Sequence, residues 1–139
     1  MARIELMAWD AARPLASPIR FEVFVSEQRV PAEIELDEMD PLCLHAIAYE
    51  GEKPVATGRL LPDGHIGRMA VLKAWRGRGI GGEILERLVE AARGRGDREL
   101  ALSAQVHAVA FYRRHGFDPE GAVYDEAGIA HQAMVRRLR

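Results

Sequence analysis

The stretch WRGRGIGGE, residues 75–83, constrains this chain more than any other. Two arginines alternate with glycines, and Ile84, Leu85, Leu88, Ala91 and Ala92 follow at helical spacing. A helix opening exposes N–H groups without intrahelical partners and a positive dipole end. Glycine lets the backbone approach a ligand and take positive φ. Arg76 and Arg78 add forked donors suited to oxyanions. Together these features predict an anion seat, with phosphate the usual guest. A glycine-rich loop alone reads equally well as a solvated connection. The apolar run RMAVL before it and the amphipathic helix after it favour the seat.

Two familiar phosphate sites are excluded by context. Gly77, Gly79 and Gly82 satisfy G-x-G-x-x-G, and Glu99 lies about twenty residues beyond Gly79. In a dinucleotide fold, however, that motif follows the first strand tightly. Here Lys73 to Arg76 intervene, three strands precede the strand it follows, and only 57 residues follow Gly82. A Walker A loop needs Gly-Lys-Ser/Thr, which does not occur.

With 139 residues the chain suits one domain, residues 1–139, and 48% apolar with 29% charged residues is ordinary for a globular protein. A net charge of −2 argues against a general nucleic-acid binder. The single cysteine, Cys43, excludes an intrachain disulfide and a cysteine metal cluster, and no metal site is expected. The opening residues lack the apolar run of a signal peptide, and no window approaches a membrane span, so the expected location is cytoplasmic, away from membranes.

Periodicity predicts a strand over 2–8 and helical structure over 14–28, with Pro18 ending one turn or starting another. Strands follow over 44–50 and 54–61, then a hairpin at Pro62-Asp63-Gly64 and a strand over 65–72. After the glycine loop and its helix come a strand over 99–104, a helix over 106–116, and two strands around Gly128. The order β-α-β-β-β-α-β-α-β-β implies an α/β (α+β) domain with a mixed sheet and helices on both faces.

RMAVLKAWRGRGIGGEIL resembles the acetyl-CoA signature Q/R-x-x-G-x-G/A of the GNAT superfamily N-acetyltransferases, here Arg76, Gly79 and Gly81. AVAFYRRHGF, residues 108–117, resembles the later motif of that superfamily, a helix carrying a tyrosine and ending in Gly-Phe. FEVFVSEQRVP and DEAGIAH further resemble the small bacterial ElaA-like branch. The resemblance implies a mostly antiparallel sheet with a splayed central strand pair. It implies an acetyl-CoA-dependent transfer to a primary amine by direct attack, or a non-catalytic CoA-binding module of the same fold. Arg76, Gly77, Arg78, Gly79, Ile80, Gly81 and Gly82 would then bind the pyrophosphate of CoA. Met69, Ala70 and Val71 would pair with its pantetheine arm, and Gln105 could donate to it. Tyr112 would protonate the departing thiolate; packing in the core beside Phe111 and Phe117 is the alternative. The acceptor is an amine of small-molecule or peptide origin, and family habit allows a homodimer.

The amine must lose a proton, and no residue type in the chain names the base. Glu27 is the first candidate; Glu22, His65 and His131 are others, and His131 also falls where acceptor contacts are expected. If Asp63-Gly64 is a two-residue turn, Arg59 faces Arg68 across the hairpin. Like charges directly opposite are unfavourable. A carboxylate between them is therefore expected, from Glu27 or the acidic run Glu33, Glu35, Asp37, Glu38 and Asp40; an acceptor carboxylate is the sharper alternative.

Overall fold

The computed structural model describes residues 2–32 and 37–138, so Glu33 and Glu35 of the acidic run lie outside the described residues. The elements are β1 (Arg3–Met7), α1 (Trp9–Arg20), β2 (Leu44–Glu50), β3 (Lys53–Leu60), β4 (His65–Val71) and α2 (Ile80–Gly94). They continue with β5 (Glu99–Gln105), α3 (Val109–Arg114), β6 (Asp118–Pro119), β7 (Tyr124–Glu126) and β8 (Ile129–Arg137). One sheet runs β1-β2-β3-β4-β5-β8-β6, with β7 also on β8. Every pairing is antiparallel except β4 with β5.

Strand alternation puts the helices on opposite faces. Ile47 packs with Trp9, Ala12 and Ala16 of α1. Its neighbours Ala46 and Ala48 join the main core, which Ile84, Leu85, Leu88 and Val89 of α2 fill from the other side. Gly58 lets α2 sit close. A Cβ there would fall 2.5 Å from Met69 Sδ, 3.0 Å from Ile84 and 3.2 Å from Leu88.

The first helix departs from expectation. It starts at Trp9, not Pro14, and continues through both Pro14 and Pro18. Burial of Trp9, Ala12, Ala16 and Ile19 outweighs the two missing N–H donors. Beyond Arg20 the chain widens into a π-helical segment, Phe21–Glu27, whose end is marked by the i→i−5 bond from Gln28 N–H to the Val23 carbonyl. Such segments recur at functional sites.

The hairpin register also departs from expectation. Gly64 sits at φ +92° and its N–H donates to Leu61 O, while Leu61 N–H donates to His65 O. That is a three-residue loop with a left-handed third residue, a common hairpin closure. It shifts the pairing by one, so Arg59 faces Gly67 and Leu60 faces Ile66. A bulge then restores the frame, with Arg68 held at φ +49°. At the other hairpin Ala127 and Gly128 both take positive φ, matching a two-residue turn.

Candidate active site

The site begins where two parallel strands part. Only His65–Ala101 and Ile66–Leu102 pair between β4 and β5. Beyond them β4 stays on β3 while β5 stays on β8, so the strands open like a V. The facing backbone edges of both limbs are thereby left available to an added strand.

At the open end of β4 a 3-10 turn, Lys73–Trp75, leads into the glycine loop. Gly77 and Gly79 take φ +79° and +80°, and Gly79 caps α2 without any side-chain hydrogen bond. The first helical amide with a backbone partner is that of Glu83, on Gly79 O. Among the described residues no acceptor meets the N–H groups of residues 77–82. Six amides at a helix opening with no protein acceptor have the geometry that suits an anion. Space is kept by Gly81 and Gly82, whose added Cβ atoms would come 3.6 Å from Val71 and 3.1 Å from His115 Nε2.

A cleft of about 1480 Å³ runs from this loop through the V. Its lining includes Met69, Ala70, Val71, Arg76, Gly77, Gly79, Ile80, Gly81, Gly82 and Gln105. Arg59, Arg68, Tyr112 and His131 line it too. Three sequence candidates do not, Glu22 among them. Arg78 lies with its guanidinium 4.8 Å from the Trp75 ring centroid. Glu27 is bound at both oxygens by Arg76, at 2.8 and 3.0 Å, and is not among the lining residues. This geometry does not fit Glu27 as a base: an amine would have to compete with a bidentate guanidinium for its lone pairs. Arg76 also donates from Nε to Val71 O at 2.9 Å, tying the loop to the end of β4.

Tyr112 projects from α3 toward the cleft. It packs edge-on against Phe111 and Phe117, 5.0 and 6.1 Å between centroids. Its hydroxyl has no hydrogen-bond partner among the described residues, and burial pushes its pKa up to about 12. The group is therefore a neutral donor across the physiological range.

The far end of the cleft holds a charge network. Asp37 receives Arg59 at 2.8 and 2.9 Å and Arg68 at 3.1 Å. The expected carboxylate between the two arginines is thus Asp37, although the strand register behind that expectation is shifted. Arg59 and Arg68 lower the Asp37 pKa to about 2 against the opposing effect of burial, the Arg59 hydrogen bond contributing most. Behind it, buried Asp40 accepts from Arg20 at 2.9 and 3.0 Å and from Arg59 at 2.8 Å. Burial opposes ionisation of Asp40, yet the two guanidinium groups outweigh it and lower its pKa.

Several contributors escape sequence reading. Gln28 exchanges hydrogen bonds with Gln105, the shorter 2.7 Å. The consecutive residues Glu27 and Gln28 thus grip both limbs of the V, one through Arg76 and the other through Gln105. His115 contacts Glu86 at 2.6 Å and lies against Gly82. The spacing of His115 four residues after Phe111 is the only local signal for it.

Comparison with known proteins agrees with this geometry. The family described as Acetyltransferase (GNAT) domain matches residues 12–138. An uncharacterized N-acetyltransferase of Bacillus subtilis, YjcF, is 43% identical over 122 residues, 85% of this chain and 87% of the relative. Escherichia coli ElaA is 32% identical over 86% of this chain and 84% of its own. The crystal structure of ElaA superposes with a TM-score of 0.87 at 28% identity, covering 99% of this chain and 100% of that one. An acyl-CoA N-acyltransferase from Pseudomonas aeruginosa gives a TM-score of 0.87 at 32% identity, over 98% and 99%.

Proposed function

The chain belongs to the GNAT acetyltransferase superfamily, and on that premise we propose that it transfers an acetyl group from acetyl-CoA to a primary amine by direct attack in a ternary complex. One observation carries the reading. The loop of acceptor-free amides at the opening of α2, five of its six residues lining the cleft, and the unpartnered hydroxyl of Tyr112 share one cleft, joined by the parted strands.

The residues divide the work. The amides of 77–82 suit a diphosphate through the N–H dipoles and the α2 macrodipole. Gly67 to Val71 offer backbone groups to the pantetheine amides, as a sheet edge does to an added strand. A β4 N–H aimed at the thioester oxygen would stabilise charge that develops there, a contribution of about 3 kcal/mol in typical enzymes. Tyr112 meets the sulfur side. Full proton transfer from a group near 12 to an alkyl thiolate is uphill, since a thiol titrates at about 8.5. Tyr112 therefore acts first as a hydrogen-bond donor to the growing thiolate and yields its proton late. Glu27 holds Arg76 and the loop in place.

The test has two parts. Thermal unfolding is measured with CoA and, separately, with NAD(P), because only a ligand that binds the native state raises the midpoint. Free thiol release from acetyl-CoA is then followed over a panel of primary amines. Stabilisation by CoA and amine-dependent thiol release are expected. Stabilisation by NAD(P) alone would overturn the coenzyme assignment. CoA binding without release for any amine would leave a binding module.

A further inference from the structure

We propose that His131 is the general base that accepts the proton of the attacking amine. The inference rests on the acetyltransferase reading and supplies the group it lacks once Glu27 is committed to Arg76.

The other candidates near the cleft are engaged or misplaced. Asp37 is held by two cations and binds a proton only near pH 2. His115 and Glu86 bond each other beside Gly82, at the anion end. His65 sits near the hairpin tip against Asp63, 55% exposed.

His131 is different in three respects. It lies on β8 between Gln105 of β5 and Tyr124 of β7, with its side chain 9% exposed, and it lines the cleft. Its Nδ1 is 2.7 Å from the Ile129 carbonyl oxygen. A carbonyl can only accept, so Nδ1 carries the hydrogen and Nε2 keeps a lone pair. The ring is fixed in plane by Tyr124, stacked at 6.0 Å and 26°, whose hydroxyl is in turn tied to Ser103.

Glu126 Oε2 stands 3.7 Å from Nε2, too far to occupy the lone pair. The other titratable groups on the packed elements are Tyr124 on β7, the exposed His107 in the turn after β5, and two carboxylates farther along β8, Glu99 of β5 opposite Arg137 and Asp118 of β6 opposite Val135; Asp125 alternates to the opposite face. β5 presents neutral Gln105 and Ser103.

The step balances. The amine nitrogen forms its bond to the thioester carbon, and the carbon–sulfur bond breaks. Nε2 of His131 takes the proton that the nitrogen sheds, and the thiolate receives the proton of Tyr112. An acyl amide and free CoA leave, His131 returns its proton to solvent, and Tyr112 regains one from it.

The test compares wild type, His131→Gln and His131→Ala in thiol release with spermidine, phenethylamine and Nα-acetyl-lysine as probes, across a pH series, with CoA affinity measured in parallel. His131→Gln should lower kcat/KM by about 10²-fold and lose the acidic limb of the pH profile, with CoA affinity essentially unchanged. Imidazole should partly restore His131→Ala. An active wild type whose acidic limb survives in His131→Gln overturns His131 as base and leaves the acetyltransferase reading standing. A wild type that binds CoA but acetylates no probe removes the turnover and the base with it.

Discussion

Replacing Asp37 by Asn isolates the charge that Arg59 and Arg68 share. The native carboxyl titrates at about 2 rather than 3.8. At about 1.36 kcal/mol per unit, the interval corresponds to about 2.4 kcal/mol of folding stability at neutral pH. The side chain is 31% exposed, so solvent screens part of this and about 2 kcal/mol is the expected loss. The folded pKa is depressed, so the contribution is fully present above the unfolded value and fades as pH falls through the folded one. Asp40 shifts in the same direction and shares Arg59, so it gives both proteins an acid sensitivity coupled to that of Asp37. Urea unfolding of wild type and Asp37→Asn from pH 7 to pH 3 reads the effect. The gap should be about 2 kcal/mol at pH 7 and shrink by about 1 kcal/mol at pH 3. A gap under about 0.5 kcal/mol at pH 7, or one unchanged on acidification, refutes the pairing as a source of stability.

Three further outcomes follow from the cleft. Tyr112→Phe should lower kcat by about 10²-fold while the melting temperature holds or rises, because the hydroxyl has no protein partner to lose; unchanged kcat, measured by thiol release, removes its role as donor. Gly79→Ala meets no atom within 4 Å, yet it forces a side chain to φ +80°, so about 1 kcal/mol of stability should go, with weaker CoA binding in calorimetry. Glu27→Gln should raise the KM for acetyl-CoA several-fold and leave the acidic limb of the pH profile where it is; a lost limb with unchanged KM would restore Glu27 as the base.

The elements that read correctly from the sequence are those whose causes are local. The glycine loop and α2 declare themselves because positive φ and a 3.6-residue repeat are carried by neighbouring residues. The proposal that the loop seats acetyl-CoA rests on resemblance, not on spacing. The start of α1 was hidden: Ala8 makes no side-chain cap, and two prolines mimic stops that burial of Trp9 and Ala12 overrides. The β3–β4 register failed by one residue because loop length turned on the φ of Gly64, and the compensating bulge at Arg68 has no sequence mark. The partner of Glu27 stands 49 positions away, a pairing that only the packing of the π-helical segment over the loop decides.

Gly58 acts as a gauge of length. Because α2 rests on a strand position without a side chain, the gap between helix and sheet sets how far the anion seat stands from the end of β4. In the proposed complex CoA is a ruler of fixed length, held at its diphosphate and read at its sulfur. On that reading a methyl group at position 58, pressed against Ile84 and Leu88, would wedge the helix outward and leave the sulfur out of step with Tyr112, so a residue that never meets the coenzyme would calibrate where its reactive end comes to rest.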